Sequence, residues 1–208
     1  MSPTLSLLVQ RQSAISAFTP ESYYTVDLGL GEFHAVSDRF STKAEAEALA
    51  AACKAENTAI VKEIRQQEKK EAAPALYDLT SLQRDANRRF GFSAKETLNI
   101  MQHLYENHKV LTYPRTDSRY ISSDVVPTIK ERLKAINFGP YKVFVPTLLK
   151  APIHTSKSFV DDRKVSDHHA IIPTEEFVQL DHMTNEERKI YDLVVRRFIS
   201  VLYPAYEY

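Results

Sequence analysis

Four segments with helical apolar spacing open on a hydroxyl residue followed three positions later by Glu or Gln: Thr42/Glu45, Thr80/Gln83, Ser93/Glu96 and Thr184/Glu187. In that spacing the first side chain accepts from the N3 amide and the second reaches back to the cap's own amide, so each pair starts a helix. Ser2-Pro3 supplies a fifth start, a cap residue followed by proline at the first helical position. The chain is therefore divided into several separate helices. Apolar spacing behind each start supports this reading. Leu5, Leu8, Val9, Ile15 and Phe18 predict a helix to about residue 17, ended by Pro20. An alanine-rich helix follows from Thr42 to about Ala55. Leu82, Ala86 and Phe90 share a face until Gly91; Leu98, Met101, Leu104 and Tyr105 carry the next helix to about Asn107. Ile190, Tyr191, Val194, Phe198 and Leu202 form the buried stripe of a long last helix that Pro204 terminates. Ser123-Asp124 predicts a further helix over roughly 124–136, and residues 142–149 a short one.

Between the helices the period falls to two. Tyr24, Val26, Leu28 and Leu30 alternate with polar neighbours, Gly29 and Gly31 mark a turn, and 32–36 reads as the partner strand of a hairpin. The β-branched run Thr58 to Ile64 predicts another strand, with a polar tail from Arg65 to Ala75 that leads into a linker. Ala205 to Tyr208 begins a strand. The two helices joined at Gly91, followed by the short apolar stretch Val110-Leu111, look like a helix-turn-helix with a strand after it. The fold class is α+β.

Charge discriminates weakly. Basic and acidic residues number 27 each, yet residues 77–178 hold 15 Lys/Arg against 12 Asp/Glu, which favours the middle of the chain as the surface facing phosphates. One cysteine, Cys53, excludes an internal disulfide. No apolar run approaches membrane-spanning length and nothing resembles a signal peptide, so the chain reads as soluble and cytoplasmic, with no membrane partner.

The stretch Leu111-Thr-Tyr-Pro-Arg-Thr-Asp-Ser-Arg-Tyr120 concentrates chemistry. Phosphoryl transfer to a tyrosine needs a phenol beside the scissile phosphate and a cation to neutralise developing charge. In an extended strand residues i and i+2 point to the same side, so Tyr113 and Arg115 can address one phosphate together. With 11 tyrosines in the chain, packing is the competing reading of Tyr113. The second concentrated signal is Ser166-Asp-His-His-Ala-Ile-Ile-Pro-Thr174. Asp167-His168-His169 admits three readings: metal ligands of a phosphoesterase, phosphate-binding or proton-transfer groups, or loop histidines bonded locally. The metal reading lacks further ligands beyond Asp161-Asp162. Arg84, Arg88 and Arg89 recur at helical spacing, as a face for a nucleic-acid backbone or as a merely solvated one.

Tyr113-Pro-Arg-Thr-Asp-Ser118 closely resembles the active-site signature of type IA DNA topoisomerases, and proline after the tyrosine is most similar to the topoisomerase III branch. The resemblance extends through Leu76-Tyr-Asp-Leu-Thr-Ser-Leu-Gln-Arg-Asp-Ala-Asn-Arg-Arg-Phe-Gly91, Pro3 through Glu21, and Arg196 through Pro204. It implies a hinge domain (residues 21–76 and 179–208, with 1–20 as the helix leading in) into which a helix-turn-helix-like domain III, residues 77–178, is inserted. It implies Tyr113 as nucleophile on single-stranded DNA through a 5′-phosphotyrosyl bond, without ATP. Arg115 and His168 would act as phosphate-stabilising partners. Arg84, Arg88, Arg89, Thr116, Asp117, Ser118, Arg119 and Thr174 would lie along the DNA, with Thr116, Asp117 and Ser118 fixing the loop rather than reacting. His169 falls where many relatives have glutamate, so no role is carried to it. The family's Mg²⁺-binding carboxylates belong to a Toprim domain with no counterpart here. No metal ligand is therefore expected in this chain; the remaining domains of the same polypeptide are the expected partner, and the chain alone is expected to be inactive. Tyrosine recombinases place their Arg and His residues, and rolling-circle nucleases a His-x-His metal motif, before the tyrosine, whereas here His168 follows Tyr113. A non-catalytic helix-turn-helix module that binds duplex DNA is the alternative.

Overall fold

The computed structural model describes residues 2–56 and 60–208, and the chain divides into two compact units, 1–66 and 67–208. In the first unit, α1 (Pro3–Ser16) starts as its sequence dictates: the Ser2 hydroxyl accepts from the Leu5 amide, and Pro3 occupies the first turn. Its apolar residues are exposed, from 49% at Leu5 to 74% at Phe18 just beyond its end. β1 (Asp27–Gly29) and β2 (His34–Val36) form the expected hairpin, with Leu28 opposite Ala35 and Gly31 at φ 82° in the turn. α2 (Lys43–Glu56) opens on the Thr42/Glu45 pair, whose side chain and amide groups exchange hydrogen bonds of 3.3 and 3.4 Å.

The strand expected over 58–64 does not form in its described part. Residues 60–64 have no strand assignment, and Ile60, Val61 and Ile64 are exposed; Thr58 and Ala59 lie outside the described residues. β-branching favours a strand only where a partner edge and a buried face exist. The β content is accordingly small: beyond the hairpin, β3 (Lys70–Glu71) pairs antiparallel with β4 (Tyr206–Glu207).

The second unit is built on three helices, α3 (Leu79–Phe90), α4 (Ala94–Glu106) and α7 (Asn185–Val201), each contacting the other two. α3 starts two residues earlier than the Thr80/Gln83 pair suggests. Asp78 is the cap: its carboxylate accepts from Ser81 N at 2.6 Å, and the Ser81 hydroxyl faces the Asp78 amide at 3.2 Å. A carboxylate at the positive end of a helix outcompetes a threonine two residues further in. Gly91 at φ 75° ends α3, and Ser93/Glu96 and Thr184/Glu187 form the expected boxes on α4 and α7. Leu82, Met101, Leu104, Val194 and Phe198 are buried where these helices meet, each contributing about 1.5–3 kcal/mol by leaving water. Arg197 of α7 spans to α3: its guanidinium lies 4.1 Å above the Tyr77 ring and donates to Asp85, which also accepts from the Tyr77 hydroxyl at 2.6 Å. Burial, and the bond to Asp85, push the Tyr77 phenol well above its usual range.

The helix expected over 124–136 arrives late. A 3₁₀ turn at Val126–Thr128 precedes α5 (Ile129–Ala135), and neither start has a side-chain cap. Pro127, which cannot donate, favours the tighter turn there. α6 (Val145–Lys150) packs on α5 and realises the short helix expected near 142–149.

Candidate active site

The tyrosine stretch and the histidine stretch meet because each supplies the other's backbone partners. Leu111 bridges Pro173 in antiparallel sense; Thr112 N donates to Ile172 O at 3.0 Å and Thr174 N to Val110 O at 3.0 Å. The Thr112 hydroxyl closes the gap, donating to Ala170 O and accepting from Ile172 N. The segment 170–173 is also held from other sides, by Ile171 N to Tyr77 O and Ala170 N to Tyr120 O, both 2.8 Å. Ala170, Ile171, Ile172 and Pro173 are all buried. The positions that carry polar chemistry, 166–169, leave this anchored stretch toward the surface.

Tyr113 follows, half-buried, with its ring edge-on to Tyr105 of α4 at 5.6 Å between centroids. On its other side lies the His168 ring, at 4.2 Å and tilted by 34°. A further tether fixes this pair: the Thr116 hydroxyl donates to His168 O at 3.0 Å, so the loop after the tyrosine is tied to the histidine. Tyr113 and His168 line one cleft of about 380 Å³ with Ser122, Asp124, Asp162 and Asp167. Both also line a second of about 650 Å³ with Tyr105, Lys109 and Glu175.

Arg115 is exposed and lines a different cleft, of about 450 Å³, with Leu79, Thr80, Asp117, Asp167 and His168. His168 is thus common to the clefts of Tyr113 and Arg115, whereas those two residues do not line one cleft together. The expectation of a shared side assumes extended geometry. The strand pairing is a single bridge at Leu111, the chain bends at buried Pro114, and the i, i+2 rule lapses with it.

The remaining residues singled out from the sequence separate into two groups. Thr116 and Ser118 are 6% and 5% exposed, and their hydroxyls hold the loop: Ser118 N donates to Thr116 Oγ1, and the Ser118 hydroxyl donates to Lys164 O at 2.7 Å. Arg119 donates to Leu76 O and lies 4.0 Å from Asp78, while Thr174 donates to Lys109 O at 2.6 Å. Asp117, Arg84, Arg88 and Arg89 are exposed, the three arginines on α3. His169 is half-buried with Nδ1 2.8 Å from Ala170 O, and burial lowers its pKa below the ordinary histidine value.

Among the described residues, Asp167, His168 and His169 do not bring three ligand atoms close enough to share an ion. The group that does is His103, His108 and Glu187, which spacing along the chain does not announce. No described helix is long and apolar enough to cross a membrane.

The family described as DNA topoisomerase matches the chain over residues 1–208. DNA topoisomerase 3 of Bacillus cereus strain ATCC 14579 is 52% identical over 213 residues, covering 99% of this chain and 29% of that protein. DNA topoisomerase 3 of Bacillus subtilis strain 168 is 48% identical, with the same coverage of both. Among solved structures, full-length topoisomerase I from Thermotoga maritima superposes with a TM-score of 0.67 over 98% of this chain and 33% of that one; at 24% identity this shows a shared fold. The chain spans under a third of the length of the curated relatives it matches. On sequence and fold together, it belongs to the type IA DNA topoisomerases, in the topoisomerase III branch.

Proposed function

We propose that this chain supplies the strand-cleaving tyrosine of a type IA topoisomerase, and that Tyr113 is that residue. The observation that carries the reading is the 4.2 Å contact between the rings of Tyr113 and His168, brought together from two separate motifs by paired backbone. In the reaction, Tyr113 Oη forms a bond to the phosphorus of single-stranded DNA as the bond from phosphorus to O3′ breaks. The phenolic proton is lost and the departing oxygen becomes a 3′-hydroxyl. Religation reverses both changes, and because the ester conserves the phosphodiester linkage, no ATP is required. His168, whose ring lies against that of Tyr113, would hydrogen-bond the phosphate beside the phenol.

His168 borders both the Tyr113 clefts and the Arg115 cleft, and Arg115 is the cation that would compensate the charge of the transition state. Thr116, Ser118, Arg119 and Thr174 act by holding the loop and strand in place, while Arg84, Arg88 and Arg89 offer an exposed basic face to the backbone.

The one three-ligand group among the described residues, His103, His108 and Glu187, is rich in nitrogen and does not fit the Mg²⁺ that the family uses, which takes oxygen ligands in octahedral array. The ligands of that ion are assigned to the remaining domains of the polypeptide, with which this chain also forms the hinge that opens a gate for strand passage. In the full-length enzyme, Tyr113→Phe should abolish the covalent DNA–protein adduct seen on denaturing gels while leaving single-strand binding intact. An adduct that survives the change places the nucleophile elsewhere. The isolated chain should not relax negatively supercoiled plasmid, with or without Mg²⁺.

A further inference from the structure

Away from the tyrosine cleft, the C-terminal end of α4 meets the N-terminal turn of α7 through three side chains that share one small volume. His103 Nδ1 is hydrogen-bonded to Glu187 Oε1, and His108 Nε2 lies 3.3 Å from Glu187 Oε2. One ligand atom from each residue falls within 4.8 Å of the others. Glu187 is 4% exposed, while the His103 side chain is 53% exposed, so the group is closed behind and open to solvent in front.

One feature of this group is unusual for a plain hydrogen-bond cluster. Glu187 Oε2 is already engaged by the Thr184 amide at 2.8 Å in the capping box of α7, and His108 Nε2, 3.3 Å from it, is buried without a hydrogen-bond partner. Among the described residues, no lysine or arginine pairs with Glu187. Two imidazole nitrogens and a carboxylate thus converge on a place that lacks a fixed positive charge. In a tetrahedral zinc site, ligand atoms about 2.1 Å from the ion are separated by about 3.4 Å, close to the spacing between His108 and Glu187.

We propose that His103, His108 and Glu187 bind a divalent transition metal of the zinc class, with water as the fourth ligand on the exposed side. A set of two nitrogens and one oxygen selects this class over Mg²⁺ or Ca²⁺. The ion clamps the end of α4 to the start of α7. His108 also lies in the turn that passes through Lys109, at φ 58°, into the stretch carrying Tyr113, so the clamp fixes the root of that stretch. Its place in the fold is structural, apart from the reacting atoms.

The test is zinc chloride titrated by calorimetry into the metal-stripped full chain, with thermal melts in parallel. A single equivalent should bind, and zinc at a hundredfold over Kd should raise the melting temperature by about 5–10 °C. His103→Ala and His108→Ala should each weaken binding by more than the ~10–100-fold typical of losing a mere outer-shell partner. His182→Ala, outside the cluster, should bind as the parent does. Cobalt bound in place of zinc should give the intense visible absorption of a tetrahedral site, lost in His103→Ala. Should His108→Ala fail to fold, the exposed His103 decides the matter alone. Absence of zinc binding by the parent, or binding retained in His103→Ala, overturns the proposal.

Discussion

Replacing Arg132 by methionine should destabilise the 67–208 unit by about 2–3 kcal/mol, and the source of that loss can be separated by a second variant. Arg132, on α5, is 8% exposed and uses all three of its nitrogens. Nη1 donates to Pro173 O at 2.7 Å, Nε to Thr128 Oγ1 at 2.8 Å, and Nη2 pairs with Glu175 at 2.7 Å. Methionine fills similar space but leaves the Pro173 carbonyl buried without a donor, a cost of about 1–3 kcal/mol. Thr128 suffers less, since its hydroxyl still donates to Val125 O. The Glu175 side chain is 44% exposed, so its ion pair contributes no more than about 1 kcal/mol. Removing a charge that burial already disfavours offsets part of the loss. With a urea m-value of about 2 kcal/mol/M, Arg132→Met should lower the midpoint by about 1–1.5 M, followed by far-ultraviolet circular dichroism. Glu175→Gln should lower it by less than about 0.5 M. If the two variants shift the midpoint equally, the ion pair and not the carbonyl carries the stabilisation, and this reasoning fails.

Other substitutions probe the remaining features. Gly91→Ala places a Cβ on a left-handed residue with no atom within 4 Å of it, so its cost of about 1 kcal/mol is purely conformational and should appear as a lower urea midpoint. His169 has a folded pKa below its unfolded value of 6.5, so the unfolded chain binds the proton more tightly. Stability should accordingly fall as pH drops below about 6.5 until the folded pKa is passed, and His169→Gln should flatten that part of the profile in pH-dependent melts. Asp78→Ala removes the cap of α3, costing about 1 kcal/mol, whereas Thr80→Ala should change the midpoint by less than half of that.

Helix starts are the most legible part of the fold, because a capping box is local: donor and acceptor lie three residues apart and need no tertiary partner. The cap of α3 departs from its expected place by two residues for a local reason as well, since Asp78 and Ser81 perform the same exchange with a better acceptor. The run after Thr58 departs for a nonlocal one, as Ile60, Val61 and Ile64 have the composition of a strand without a neighbouring edge. At the candidate site, Tyr113 and His168 stand out as motif residues, and their convergence follows from the family resemblance, not from spacing. Arg115 is placed by a strand rule that the bend at Pro114 cancels. The grouping of His103, His108 and Glu187 is invisible in the sequence, where Glu187 reads only as the partner of Thr184 in a helix cap. Their residue types are common, and Glu187 joins the others only because α7 packs on α4.

The stretch from Ala170 to Pro173 is gripped by Tyr77, Tyr120 and the residues flanking Thr112, so phenol and imidazole share a single mechanical mount. On the proposed role of Tyr113, a DNA end joined to it would travel with His168 beside it. Resealing would then require only the return of the free end, with no reassembly of the pair that awaits it.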